Sequence, residues 1–261
     1  MSYALFVGCR IPASLPDVEH ASRAVLRALG VRVTDLDFTC CGYPSRHLRL
    51  DAWLLLAGRN LGLAARAGLG LLTLCQCCYG SLRHAQHLLR TDAALRAAVH
   101  RELAAEGLPP VEHVPVVHLL TVLDRDVGAD ALRARVVAPQ TGRRVAAHYG
   151  CHALRPSDVV DLDNSQAPTI FERLIAATGA EPVDWPRRLD CCGAPLADAK
   201  PVLARRLRAT KLADAREAGA EEVCTACPYC QEQLAPRDEP GGLPVEPYPR
   251  LLARALGLPA G

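Results

Sequence analysis

Cys40-Cys41-Gly42-Tyr43-Pro44 and Cys191-Cys192-Gly193-Ala194-Pro195 are one phrase written twice, and they decide the reading of the whole 261-residue chain. A glycine followed two residues later by proline marks a turn, so each cysteine pair is expected on a tight loop. Ahead of each pair stands a lone cysteine after a glycine, Gly8-Cys9 and Gly150-Cys151. Behind each comes a Cys-x-x-Cys, Cys75 to Cys78 and Cys227 to Cys230. From the pair to the next cysteine is 34 steps in the first half and 35 in the second; from the lone cysteine to the pair is 31 and 40. Ten of the twelve cysteines therefore form two five-membered sets, which predicts two similar domains over 1–140 and 141–261.

The segments between the cysteines repeat as well. Val18, Ala21, Val25, Leu26 and Leu29 recur at helical spacing after Pro16, and Gly30 stands just past them. Pro168 to Thr178 has the same character and ends at Gly179. Short strands are expected after each, at Val31-Arg32-Val33 and toward Val183-Asp184-Trp185. Longer helices are expected over about 47–67 and 200–218, each closed by a glycine and leading into a strand that ends at Cys75 or Cys227. Alternating strands and helices predict an α/β layer fold in each half, with ligands at the carboxyl ends of the strands. Superposing Leu72-Thr73-Leu74-Cys75 on Cys224-Thr225-Ala226-Cys227 puts Cys224 on a core strand position. Cys224, and Cys77 inside its Cys-x-x-Cys, are extra to the pattern and are expected to be buried apolar fillers.

Composition narrows the chemistry. Half of the chain is hydrophobic, so a sizeable core is available. The 30 Lys+Arg and 28 Asp+Glu nearly cancel to +2 with no dense run of either sign, which argues against a nucleic-acid partner. The apolar stretch from Trp53 to Leu74 is interrupted by Arg59, Asn60 and Arg66, so membrane insertion is not expected. Met1 to Gly8 lacks a basic leader and reads as a first strand, so a cytoplasmic protein is expected. In a reducing compartment clustered cysteines hold metal or perform redox work. Gly68-Leu69-Gly70 lacks the third glycine of a dinucleotide loop and precedes a strand instead of following one.

Thiolates bind iron in clusters, zinc or copper(I). Structural zinc takes four ligands, usually from two Cys-x-x-Cys knuckles, whereas each half here has one knuckle, one adjacent pair and one lone cysteine. Side chains of adjacent cysteines diverge and suit two irons of a cluster better than one ion. Five thiolates exceed the four of an ordinary [4Fe–4S] cube. His148 and His152 flank Cys151 and are candidates for proton transfer to a leaving thiolate, His152 the better placed. The alternative is that they brace the cysteine loop. Arg10 and Arg155 follow the lone cysteines and could steer an anionic substrate or balance thiolate charge. His84, His87 and His100 are expected on solvated helix surfaces.

Both halves resemble the Cys-Cys-Gly domain found in the B subunit of heterodisulfide reductase. The resemblance rests on Gly8-Cys9, Cys40-Cys41-Gly42, Cys75-x-x-Cys78-Tyr79, His148-Tyr149-Gly150-Cys151-His152, Cys191-Cys192-Gly193 and Cys227-Pro228-Tyr229-Cys230. It implies two Rossmann-like domains related by a pseudo-twofold axis, each holding a noncubane [4Fe–4S] cluster. The implied ligands are Cys9, Cys40, Cys41, Cys75 and Cys78 for one cluster, and Cys151, Cys191, Cys192, Cys227 and Cys230 for the other. It further implies that a disulfide is cleaved or formed between the clusters, with electrons arriving through a ferredoxin-like iron–sulfur subunit and a flavin subunit. Similar domains also occur as electron-transfer subunits of lactate-, glycolate- or quinone-linked oxidoreductases, and that alternative stays open. So does a zinc scaffold.

Overall fold

The computed structural model describes residues 1–235 and 242–260. The strands are β1 (Ser2–Phe6), β2 (Arg32–Thr34), β3 (Gly70–Thr73), β4 (Val116–His118), β5 (Arg144–His148), β6 (Glu181–Val183), β7 (Glu222–Thr225) and β8 (Val245–Pro247). The α-helices are α1 (Arg10–Ser14), α2 (Pro16–Ala28), α3 (Leu50–Arg66), α4 (Gln76–Thr91), α5 (Ala93–Ala105), α6 (Leu119–Thr121), α7 (Ala129–Arg133), α8 (Ile170–Ala177), α9 (Pro201–Glu217), α10 (Pro228–Leu234) and α11 (Tyr248–Ala255). The predicted helices and strands are present, with ends displaced by a few residues where caps decide them.

The strands pair in parallel as two four-stranded sheets of identical order, β2-β1-β3-β4 and β6-β5-β7-β8. Parallel strands covered by helices on both faces bury nearly every side chain, as Ala4, Leu5 and Phe6 of β1 and Val145, Ala146 and Ala147 of β5 show. The strand order reverses between β1 and β3, and between β5 and β7, and these are the crevices where α/β sheets hold ligands. Cys9 follows β1 and Cys75 caps α4 after β3; Cys151 follows β5 and Cys227 caps α10 after β7. Cys224 lies in β7, fully buried, pairing with Ala147 in register, as the alignment with Leu72 anticipates.

The halves interlock. A single apolar core runs from Ala4 and Leu26 through Leu120 to Phe171 and Leu252, with a smaller satellite around Trp185 and Val223. Helix α11 packs on α2, and Arg250 Nη1 reaches Asp17 Oδ2 at 2.7 Å. The backbone N–H groups of Val137 and Ala138 both donate to the Ala255 carbonyl at 3.0 Å. Helix α4 presses on the loop after β5: a Cβ at Gly80 would stand 2.6 Å from the His152 carbonyl oxygen, and Tyr79 Oη donates to Asp161 Oδ1 at 2.8 Å. No described helix is long and apolar enough to cross a membrane.

The pair loops are held from below by the long helices. Asn60 of α3 is fully buried; its Oδ1 accepts from Thr39 N at 2.8 Å, and its Nδ2 donates to Cys40 O at 3.1 Å and Leu56 O at 2.9 Å. Asn60→Ala would leave those backbone groups without a partner, and we expect a loss of about 2 kcal/mol in denaturant unfolding. An unchanged midpoint would mean that water replaces the amide. In the second half the equivalent position of α9 is Lys211, 2% exposed, whose Nζ donates to the Arg187 carbonyl and sits 4.8 Å from the Trp185 ring centroid. Burial depresses its pKa to about 8.

His118, at the end of β4, is wholly buried, with Nδ1 accepting from Leu120 N at 3.2 Å. Burial lowers its pKa to about 4, so the fold holds it neutral. Its unfolded pKa is near 6.5. The stability this neutral imidazole contributes is therefore complete above about pH 6.5 and is lost as pH falls toward 4, by ~3 kcal/mol. Unfolding curves between pH 7 and 4 for the wild type and His118→Gln should converge toward low pH. Parallel curves would refute this assignment.

Candidate functional site

Each pair loop turns through a glycine in the left-handed region, Gly42 at φ 77° and Gly193 at φ 88°. The turn sends the first cysteine outward and the second inward: Cys40 is half-buried and Cys191 exposed, whereas Cys41 and Cys192 are buried. Gly8 and Gly150 also have positive φ, and each lies against a sulfur of the later Cys-x-x-Cys. A Cβ on Gly8 would come within 3.1 Å of Cys78 Sγ, and one on Gly150 within 3.4 Å of Cys230 Sγ. Glycine thus lets the lone-cysteine loop close over the sulfurs of its own set.

The ten repeated cysteines fall into two adjoining cavities, five to each. Cys9, Cys40, Cys41, Cys75 and Cys78 line a narrow one of about 10 Å³. Cys151, Cys191, Cys192, Cys227 and Cys230 line a more open one of about 170 Å³. Tyr43, Pro44, Cys77 and Tyr229 line both and form their common wall, with the two tyrosine rings 5.7 Å apart. Cys9 and Cys40 Sγ are 3.6 Å apart. Across the halves, Cys75, Cys77 and Cys227 offer sulfurs all within 4.8 Å of one another.

Thiols this crowded cannot all ionise. Sulfur-to-sulfur hydrogen bonds, first with Cys40 and then with Cys78, hold Cys41 well below the usual thiol range. Donation from Cys151 and then Cys192 brings Cys191 to about 2. Their neighbours move the other way: Cys192 rises to about 12 because it faces Cys191, and burial raises Cys75. Cys227 is likewise held low, by hydrogen bonds first from Cys230 and then from Cys75 and Cys77, while sulfur neighbours and then burial push Cys78 and Cys230 up. Drawing off the remaining protons together requires a cation among the sulfurs.

Of the two histidines, His152 lines the second cavity. Its Nδ1 lies 3.3 Å from Cys151 Sγ and 3.8 Å from Cys77 Sγ, and its ring stands edge-on to Tyr43 with centroids 4.8 Å apart. Burial and then Arg46 lower its pKa, so it is neutral. His148 is sealed inside β5 with both ring nitrogens unpartnered, within 4.8 Å of the sulfurs of Cys192 and Cys230. Burial takes it to about 3. It does not open onto the cavity, so of the pair only His152 is placed to exchange a proton with a bound molecule.

Other expectations are corrected by packing. Cys77 is buried as expected, but it stands in the wall between the cavities, 3.6 Å from Cys227 Sγ. Arg10 lines the first cavity, but Glu232 holds its Nε at 2.6 Å, so its charge is spoken for. Arg155 is exposed on a separate crevice with Arg46, His84 and His152. His84 and His100 are partly buried: the first stacks edge-on against Trp53, and the second lies 3.1 Å from Glu112 Oε1. Sequence reasoning passed over Gln76, which is fully buried in the second cavity with both amide atoms unpartnered. The signal available was the mismatch of Gln76-Cys77 with Pro228-Tyr229 in otherwise matching Cys-x-x-Cys motifs.

Two doubly wound halves carrying repeated cysteine loops define a chain of two cysteine-rich domains. The profile of the CCG cysteine-rich domain matches residues 3–83 and again 145–235. The B subunit of the ferredoxin/F(420)H(2)-dependent CoB-CoM heterodisulfide reductase of Methanosarcina acetivorans is 35% identical over 97% of this chain and 89% of its own length. The 8-methylmenaquinol:fumarate reductase membrane anchor subunit of Wolinella succinogenes is 30% identical over 99% of this chain and 93% of its own. A solved hypothetical protein of Helicobacter pylori shares the fold, with a TM-score of 0.73 at 15% identity over 98% of this chain; the chain spans about half of it, 49%. The chain belongs to the family of heterodisulfide reductase B subunits.

Proposed function

We propose that this chain is the catalytic iron–sulfur subunit of a heterodisulfide-reductase-like complex, with one noncubane [4Fe–4S] cluster in each cavity. The observation that carries the reading is the sorting of ten repeated thiols, five and five, into two cavities that share a wall. The donor set fits. Two thiolates on one tetrahedral metal, each about 2.3 Å from it, stand about 3.8 Å apart, and Cys9 and Cys40 are at 3.6 Å. The unpartnered His148 and Gln76 beside the second set are polar groups that a bound cluster would satisfy. The clusters, when bound, would supply electrons and iron sites for sulfur.

In this reading the five repeated cysteines of 1–140 and the five of 141–261 are the ligands, and each half is one cluster domain. The second cavity, about 170 Å³ and open, receives the disulfide. Its wall of Tyr43 and Tyr229 orients an elongated thiol against the sulfur-rich floor and limits water. His152, with Nδ1 3.3 Å from Cys151 Sγ, relays the proton that a leaving thiolate takes: the neutral ring accepts a proton from solvent at one nitrogen and passes one on from the other. His148, away from solvent, would donate to a sulfur of the bound cluster beside Cys192 and Cys230. A ferredoxin-like subunit and a flavin subunit deliver or remove electrons, since the ten paired-off cysteines leave no ferredoxin run for a wire of its own.

A second reading is favoured by the fumarate reductase relative, which matches almost end to end: an electron relay in a quinone-linked oxidoreductase. One experiment separates them. Purified anaerobically with its neighbours, the chain should carry about eight irons with equal labile sulfide and reduce mixed disulfides with a viologen donor. Iron without disulfide turnover would leave the relay; zinc without iron would remove both.

A further inference from the structure

Each half sends the two inner residues of its Cys-x-x-Cys toward the other half's cavity, and the two exchanges differ. Into the first cavity come Pro228 and Tyr229, a ring without a side-chain donor and a phenol. Into the second come Gln76, which lines that cavity alone, and Cys77 on the shared wall, its sulfur beside those of Cys75 and Cys227. Gln76 is 0% exposed, and neither its Nε2 nor its Oε1 has a partner. Its amide lies against the lone-cysteine loop of the second half, where a Cβ on Gly150 would stand 2.5 Å from Oε1. Leaving a fully buried amide unsatisfied is costly, so such a group marks the place of a missing partner. Cys77 stands 3.6 Å from Cys227, the spacing of two sulfurs on one metal, and 3.8 Å from His152 Nδ1.

We propose that the second site is completed across the halves: Cys77 is a sixth sulfur ligand to the iron–sulfur group there, and Gln76 donates its amide N–H to a sulfur of that group. The inference rests on the cluster reading of the cavities. It makes the two sites chemically unequal, although their five-cysteine sets are alike. An N–H donor to sulfur stabilises the more negative, reduced state and raises the potential; an added thiolate lowers it. The two residues therefore act in opposite directions on the same cluster.

The test is an electron-paramagnetic-resonance redox titration of the anaerobically purified complex, with iron and sulfide counted in parallel. The signal of the second cluster is assigned as the one missing in Cys192→Ser. Gln76→Leu should move that signal to lower potential and leave the other in place. Cys77→Ala should move the same signal to higher potential, and Cys77 should resist alkylation by iodoacetamide in the loaded protein while reacting once iron is chelated. If Cys77→Ala loses iron at the second site alone, that too identifies a ligand there. Both potentials unchanged, or both signals moving together, would overturn the inference. A wild type without iron or sulfide would instead overturn the cluster reading beneath it.

Discussion

Cys41→Ser should leave the protein folded but with about half its iron and labile sulfide, and should reduce disulfide turnover at least ~100-fold, since one removed catalytic contact of this kind is worth that much. Cys41 is the inward member of its pair, 3% exposed, and its sulfur accepts from Cys40 and Cys78. These contacts hold it as a thiolate at neutral pH, and a serine hydroxyl is too hard and too weakly acidic to take its place. The backbone need not change: Trp53 Nε1 donates to Ser81 Oγ at 2.8 Å, and Ser81 Oγ donates to the Cys41 carbonyl at 3.2 Å. Iron analysis together with a viologen-linked disulfide assay reads the result. Full iron content with retained turnover would show that Cys41 is not a ligand.

Gly42→Ala should act one residue further along and through sterics alone. Gly42 has φ 77°, and a Cβ there would lie 2.7 Å from Trp53 Cδ1 and 3.2 Å from the Trp53 backbone. The left-handed conformation costs an L side chain about 1–2 kcal/mol, and displacing a buried tryptophan adds about 1–3 kcal/mol. We expect a combined loss of about 2–5 kcal/mol in chemical denaturation, with iron lost from the first cavity before the fold melts. Gly193→Ala is the milder control, because the nearest atom to a Cβ there is Leu207 Cδ1 at 3.3 Å, the end of a flexible side chain. Equal losses in the two variants would show that the Trp53 contact is not what discriminates.

The fold was legible because its signals are local. Gly30 and Gly179 end helices by their own dihedral freedom, Pro16 starts one by its fixed φ, and β1 turns apolar from Ala4 to Phe6, where both its faces are covered. The five-membered sets were legible because the chain repeats them. What the sequence hid depends on contact between the halves. Nothing near Cys77 announces that its neighbour is Cys227, 150 residues away. Asn60 and Lys211 occupy equivalent helical positions and both hold a pair loop, yet an amide and an ammonium look unrelated until the loop carbonyls beneath them are seen. His148 and His152 look alike beside Cys151, but strand register turns one into the core and leaves the other at the cavity.

The packing of α11 on α2 bears on how the protein is made. Domains are commonly finished in order as the chain leaves the ribosome. Here Val18 and Leu26 of an early helix have their cover among residues synthesised more than two hundred positions later. The outer face of that early helix therefore stays open until the late segment clasps it. The nascent first half has to wait for its counterpart before its own apolar face is covered.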